Sequence, residues 1–249
     1  MALILSAVML ASCVTTILIA ASKDWSNPEL GSLSQYYETG TNADPGRIST
    51  VKEDSGGTSY GIYMFVEKTV KSFMDWLCQQ PSGTTYRAIG DKLYNAYAYN
   101  TSGQYYPGFG SNFKNIWQEI GRNNRTEFAQ AQKDFWESTQ YTQLIANVKS
   151  LFPGFDMSNY SIALQNVFWS RSVHHGVGVT SGAVKSSDGK SGATGVIYRA
   201  FNSLGGFKNQ SEAQLIQAIY AECSRLDKTP EPKRMTGDAA SKYGVSGQS

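Results

Sequence analysis

The chain has 249 residues, of which 41% are hydrophobic and 17% are charged, and its formal net charge is +2. This balance is typical of a folded protein with a sizeable core, and it excludes a disordered chain. The charge is too small, and every basic block too short, to favour nucleic-acid binding.

The first segment of the chain, residues 1–22, carries no charge and is mostly apolar. Its length suffices for one membrane span, but it lacks the positively charged start of a signal peptide. An export signal, a membrane anchor and a helix packed in an assembly therefore all stay open. We divide the chain into an N-terminal segment at 1–25, which contains this apolar stretch, a domain at 26–228 and a polar tail at 229–249.

The first helix of the domain is predicted from Ser26, which can cap it, to Glu38. Pro28 suits the first helical position, and Gly40 ends the helix. Residues 48–65 then predict hairpin-like strands around the pair of glycines at 56–57.

Most of the remaining chain has apolar residues at helical spacing, which predicts a series of helices. They run from Val66 to Gln79, Thr84 to about Tyr99, Asn112 to Gly121, Thr126 to Ser138, Ile162 to Val173 and Ser211 to Arg225. Residues 100–110 and 176–195 are predicted loops. The expected fold class is α+β, mainly α-helical, with a small antiparallel β-hairpin beside the first helix.

The cysteines and histidines do not form a metal-binding pattern. Cys78 and Cys223 either pair in an oxidising compartment or stay free thiols. His174 and His175 are adjacent at a helix end, without the spacing of a zinc motif. We expect no metal and no cofactor, and we expect these histidines to bond to the core or to shape the floor of a groove.

Two carboxylates on different elements are the main chemical signal in the sequence. Asp54, on the hairpin, follows Glu38 by sixteen residues. Facing each other across a groove, they would suffice for glycoside hydrolysis, in which one acid protonates the leaving oxygen. Glu38 can instead be an ordinary surface residue that ends a helix. Glu53 competes with Asp54, because neighbours on a strand point to opposite faces.

Three stretches of the chain resemble the lysozyme-like glycosidases, in the chitosanase-like and muramidase branch found in phage lysins and type VI secretion spike proteins. The matching residues are Tyr37-Glu38-Thr39-Gly40, Asp54 to Tyr63, and Ala163 to Ser170 with Val173-His174-His175-Gly176. The sequence departs from the usual pattern of these proteins at Met64 and His174, which bears on substrate specificity more than on activity.

The resemblance implies a lysozyme-like fold in which Glu38 is the general acid and Asp54 is the second carboxylate. Ser59 or Thr58 would hold the attacking water, and Ser59 matches the hydroxyl position of the family better. If the two carboxyl groups lie roughly 6.5–9.5 Å apart, there is room for Asp54 to activate water and the reaction inverts, whereas about 5 Å means retention with a covalent intermediate. The resemblance favours inversion. The candidates for contacts to the sugar are Tyr37, Tyr60, Tyr63, His174 and His175.

The expected function is that of a muramidase that cleaves the β-1,4 bond between N-acetylmuramic acid and N-acetylglucosamine in peptidoglycan. The alternatives are a glycosidase for chitosan or chitin, a lytic transglycosylase, and a wall-binding structural component without turnover. The expected partners are peptidoglycan strands, with membrane or phage and secretion-assembly contacts through residues 1–22. The expected location is outside the cell, in the periplasm or cell wall, or in a phage particle.

Overall fold

A computed structural model describes residues 29–40, 43–50, 58–97, 107–178 and 188–228. The described chain is mainly helical with one small antiparallel sheet, which confirms the expected fold class. The proposed N-terminal segment at 1–25 and the tail at 229–249 lie outside the described residues.

The helices follow one another along nearly the whole described chain. They are α1 (Ser32–Thr39), α2 (Glu67–Cys78), α3 (Thr85–Ala96), α4 (Gly110–Asn123), α5 (Arg125–Trp136), α6 (Thr142–Leu151), α7 (Ile162–His175), α8 (Gly192–Ser203) and α9 (Glu212–Lys228). A π-helical turn at Glu137–Tyr141 joins α5 to α6. Among the described residues, none of the helices is both long and apolar enough to cross a membrane.

The sheet has three short strands in the order β1 (Ile48–Thr50), β2 (Thr58–Tyr60) and β3 (Phe65–Val66), all antiparallel. Ile48, Tyr60 and Phe65 are opposite one another and face the core. The next row, Ser49, Ser59 and Val66, therefore shares the outer face, since side chains alternate along a strand.

Aromatic side chains fill much of the core between the sheet and the helices. Phe73 of α2 lies 6.1 Å from Trp117 of α4 and 5.3 Å from Phe135 of α5, measured between ring centroids. Tyr60 of the sheet lies 5.1 Å from Trp117. These contacts place the sheet directly on the helical body, so the position of β2 depends on α2 and α4.

Two helices of the body were not expected from the sequence. Helix α6 follows α5 directly through the π-helical turn. Helix α8 begins within the loop predicted at 176–195. The start of α8 includes two glycines, which have low helix propensity. Its residues Val196, Ile197 and Phe201 are at most 1% exposed, so tertiary packing stabilises this helix.

Candidate active site

Glu38 lies in the last turn of α1, and its side chain is half-buried. The Thr39 hydroxyl donates to the Gln35 carbonyl oxygen at 2.8 Å, and the Gly40 N–H donates to the Tyr36 carbonyl oxygen. Both bonds close the helix at the expected place. Tyr37, the residue before Glu38 in the chain, is 49% exposed, and its ring packs edge-on against Tyr36 at 5.5 Å between centroids.

The start of α1 is attached to α7 by one buried amide. Asn166 is 4% exposed; its Oδ1 accepts from the Gly31 N–H at 2.8 Å, and its Nδ2 donates to the Glu29 carbonyl oxygen at 3.1 Å. A Cβ atom at Gly31 would lie 2.8 Å from the Tyr63 hydroxyl and 2.9 Å from the Trp169 ring. Helix α1 therefore fits closely against the body, which sets the position of Glu38.

The two hydroxyl candidates on β2 point to opposite faces of the sheet. Thr58 is 5% exposed and shares the inner face with Tyr60, whereas Ser59 is half-buried on the outer face. Ser59 is therefore the hydroxyl of this strand that a ligand on the outer face can reach. Asp54 and Glu53, which precede Thr58 in the chain, lie outside the described residues.

Tyr60 and Tyr63 belong to the core rather than to the surface of a groove, which corrects the expectation drawn from the resemblance. Their exposed fractions are 0% and 2%. Burial, followed by the charge of Glu67, raises the pKa of Tyr60, and burial raises that of Tyr63. Both rings stabilise the fold through packing, because the apolar core holds them away from solvent.

A buried glutamine joins the sheet to the loop that follows α1. Gln132 of α5 is 0% exposed; its Oε1 accepts from the Ile62 N–H at 2.9 Å, and its Nε2 donates to the Pro45 carbonyl oxygen at 3.0 Å. The sequence reasoning missed both Gln132 and Asn166. In each case a polar residue inside an otherwise apolar helix face was the available signal.

The two histidines stand at the end of α7. His174 is exposed, whereas His175 is half-buried with its Nε2 3.7 Å from Cys223 Sγ on α9. Burial, and then the nearby charges of His174, Arg171 and Arg199, lower the pKa of His175 to about 3. The neutral imidazole is thus a packing partner of α9. Cys78 and Cys223 do not form a disulfide with each other.

An open cavity of about 650 Å³ lies between the end of α2 and α3. Its lining includes Asp75, Cys78, Arg87 and Asp91. The sheet adjoins the opposite end of α2, so this cavity is separate from the surface that carries Ser59. Within the residues that the structure describes, no group of three or more His, Cys, Asp or Glu side chains is arranged to hold a metal.

The comparison with protein families gives a match. Residues 30–233 match the family model described as type VI secretion system spike protein VgrG3-like, C-terminal. This range covers most of the chain and includes every described helix and strand. No curated protein was found that matches the chain.

Proposed function

Because this chain belongs to the VgrG3-like C-terminal family of type VI secretion system spike proteins, we propose that it is the wall-degrading part of a secretion spike. The proposed reaction is hydrolysis of the β-1,4 bond between N-acetylmuramic acid and N-acetylglucosamine in peptidoglycan. The observation that carries this proposal is the half-buried Glu38 at the closed end of a docked helix, beside the exposed Tyr37.

In the proposed mechanism Glu38 donates a proton to the leaving glycosidic oxygen. A general acid must carry its proton when the substrate binds, so the mechanism requires a protonated Glu38. Asp54 would activate a water molecule that the Ser59 hydroxyl orients; the role of Asp54 is taken from the resemblance. Tyr37 would stack against a sugar ring. The site of action would be the cell wall, reached through the secretion assembly.

Product analysis on purified peptidoglycan tests this function. We expect wild-type protein to release reducing ends, and Glu38→Gln to reduce the rate by about 100-fold or more, because the acid is lost. Glu119→Gln is the matched control, since Glu119 of α4 is half-buried like Glu38 and forms a 3.9 Å ion pair with Lys92. A Glu38→Gln variant with full activity would contradict the assignment of the acid.

The same products separate the other glycosidase mechanisms. Anhydro-muropeptides in the mass spectrum indicate a lytic transglycosylase, for which Asp54→Asn should retain activity. Release of reducing ends from chitosan or chitin, but not from peptidoglycan, indicates a glycosidase for chitosan or chitin.

Membership in a spike-protein family also favours a second candidate, a structural component that binds the wall without cleaving it. This candidate predicts that the protein sediments with purified sacculi and releases no product. It also predicts that Glu38→Gln binds as the wild type does. Release of reducing ends by the wild type excludes it.

A further inference from the structure

The turn at Pro107–Phe109 is held through both backbone groups of a single glycine. The Gly108 N–H donates to Oε1 of Glu67 at 2.5 Å. The Tyr60 hydroxyl donates to the Gly108 carbonyl oxygen at 2.5 Å. A bond to a carboxylate is charge-assisted and stronger than one between neutral groups. Glu67 and Tyr60 thus hold the turn from α2 and from β2.

The backbone of this turn has an unfavourable conformation. Gly108, Phe109 and Gly110 have φ angles of 64°, 60° and 85°, and Phe109 carries a side chain that disfavours this region. Phe109 is 1% exposed and packs against Phe113 at 4.9 Å between ring centroids. Such a conformation persists where the surroundings fix it, and it is found preferentially at functional sites.

The turn also touches the beginning of β2. A Cβ atom at Gly108 would lie 2.9 Å from Thr58 Oγ1. Tyr60 and Thr58 are the two inner-face residues of β2, so the turn supports this strand at both of them. Ser59, between them, projects from the opposite face.

Glu67 is connected to Ser59 by a second route as well. Glu67 directly follows Val66, and Val66 is the cross-strand partner of Ser59. Glu67, whose carboxylate accepts from the Gly108 N–H, is therefore the residue that directly follows β3, and β3 pairs with β2 at Ser59. The Glu67–Gly108 contact therefore links the segment after Val66, one of the cross-strand neighbours of Ser59, to the turn that bonds to Tyr60, the next residue of β2.

We propose that Glu67 is a positioning residue that holds the Gly108 turn against β2 and so fixes the outward-facing hydroxyl of Ser59. This inference rests on the proposed hydrolase function, in which Ser59 orients the attacking water. Glu67 touches neither the sugar nor the water in this scheme. It acts through Gly108 and the inner face of β2.

The test compares two substitutions of Glu67 that differ in hydrogen bonding. Glu67→Gln keeps an oxygen that can accept from the Gly108 N–H, whereas Glu67→Ala removes it. The substrate is a set of soluble peptidoglycan fragments. We expect Glu67→Ala to lower kcat by about 10- to 100-fold, with a KM within about twofold of the wild type. The reason is that misplacement of an orienting group affects the reaction more than it affects binding. Glu67→Gln should retain most of kcat, and the control Glu119→Ala should equal the wild type.

Tyr60→Phe provides an independent variant, because it removes the second bond to Gly108 and keeps the aromatic ring. It should also lower kcat without a matching change in KM. Unchanged kcat in folded Glu67→Ala and Tyr60→Phe would overturn the inference, as would a loss in Glu67→Gln equal to that in Glu67→Ala. If Glu67→Ala does not fold, Tyr60→Phe decides.

Hydrogen exchange of the β2 amides separates failure of this inference from failure of the hydrolase proposal. If the wild type cleaves no glycan, the proposed function fails. Faster exchange of β2 in Glu67→Ala, but not in Glu67→Gln, then still supports positioning by Glu67. Equal exchange in all three proteins overturns it.

Discussion

Individual buried amides determine how the candidate site is assembled. Asn166 and Gln132 each accept one backbone N–H and donate to one backbone carbonyl, and each joins segments far apart in the chain. A backbone group left without its partner in the interior costs about 1–3 kcal/mol. These two side chains therefore have a larger effect on stability than surface amides of the same type.

Gln132→Leu should lower the free energy of unfolding by about 2–4 kcal/mol, because the Ile62 N–H and the Pro45 carbonyl lose their partner. Urea unfolding at neutral pH measures this change. The control is Gln130→Leu two residues earlier on α5, where the side chain is exposed and bonds only to Asp134. It should change stability by less than about 0.5 kcal/mol. Equal losses in the two variants would refute the role of Gln132.

His175 should make the fold sensitive to mild acid. Its pKa is lowered to about 3 by burial and neighbouring positive charge, so the unfolded chain takes up a proton below about pH 6.5 while the folded chain does not. Stability should fall by up to about 1.4 kcal/mol per pH unit between about pH 6 and pH 4. Urea titrations at several pH values measure the slope. His175→Gln should flatten it, and an unchanged slope would contradict the assignment.

At the scale of single elements, α1 depends on its fit to the body more than on its own sequence. It has eight residues, too few for a stable isolated helix, and Gly31 at its start has φ 84°. Side chains are disfavoured at this angle, and Tyr63 and Trp169 leave no space for one. The position of Glu38 is therefore set by docking.

Gly31→Ala should destabilise the protein by about 3 kcal/mol or more and reduce the proposed hydrolysis, because α1 must shift away from Trp169. Gly205→Ala is the matched control, since Gly205 has φ 75° but nothing within 4 Å of an added Cβ. It should cost about 1–2 kcal/mol, with activity retained. Thermal unfolding and a parallel activity assay compare the two variants. Equal losses of stability and activity in Gly31→Ala and Gly205→Ala would mean that close packing at Gly31 is unimportant.

The sequence predicted elements well where one face is apolar and the ends carry clear signals. Helix α2 was expected from Val66 to Gln79 and is found at Glu67–Cys78, and α7 begins at Ile162 as predicted. Helix α8 was missed because its glycine-containing start has poor propensity and its stability comes from burial. The Gly108 turn was also missed, because its partners Tyr60 and Glu67 lie 48 and 41 residues away.

At the scale of the whole molecule, a network of ion pairs joins the last two helices, α8 and α9, to each other and to Asp188, which precedes α8. Arg199 of α8 bonds to Glu222 of α9 at 2.5 Å and to Asp188 at 3.0 Å, and Arg225 bonds to Glu222 at 2.7 Å. Burial opposes ionisation of Glu222, but the hydrogen bonds from Arg225 and Arg199 outweigh it and lower its pKa. The ionised carboxylate therefore stabilises the fold.

Glu222→Gln should lower the free energy of unfolding by about 2 kcal/mol at neutral pH, because two guanidinium groups lose their charged partner. Since the folded pKa is below the ordinary glutamate value, this stabilisation is present above that value and is lost as the pH falls through the folded pKa. The difference between variant and wild type should therefore shrink in strong acid. Urea unfolding across the pH range measures this difference in the free energy of unfolding. The control is Glu127→Gln, at an exposed position. If wild type and Glu222→Gln still differ in strong acid as they do at neutral pH, the charge network is contradicted.

The bond between Gly31 and Asn166 joins groups that are 135 residues apart in the chain. During translation residue 31 leaves the ribosome long before residue 166, so α1 has no docking surface while α7 is still being made. Contacts of such long range form late in folding. We therefore expect an incomplete nascent chain to carry Glu38 without its docked position, so that the proposed hydrolysis could begin only when synthesis is nearly finished.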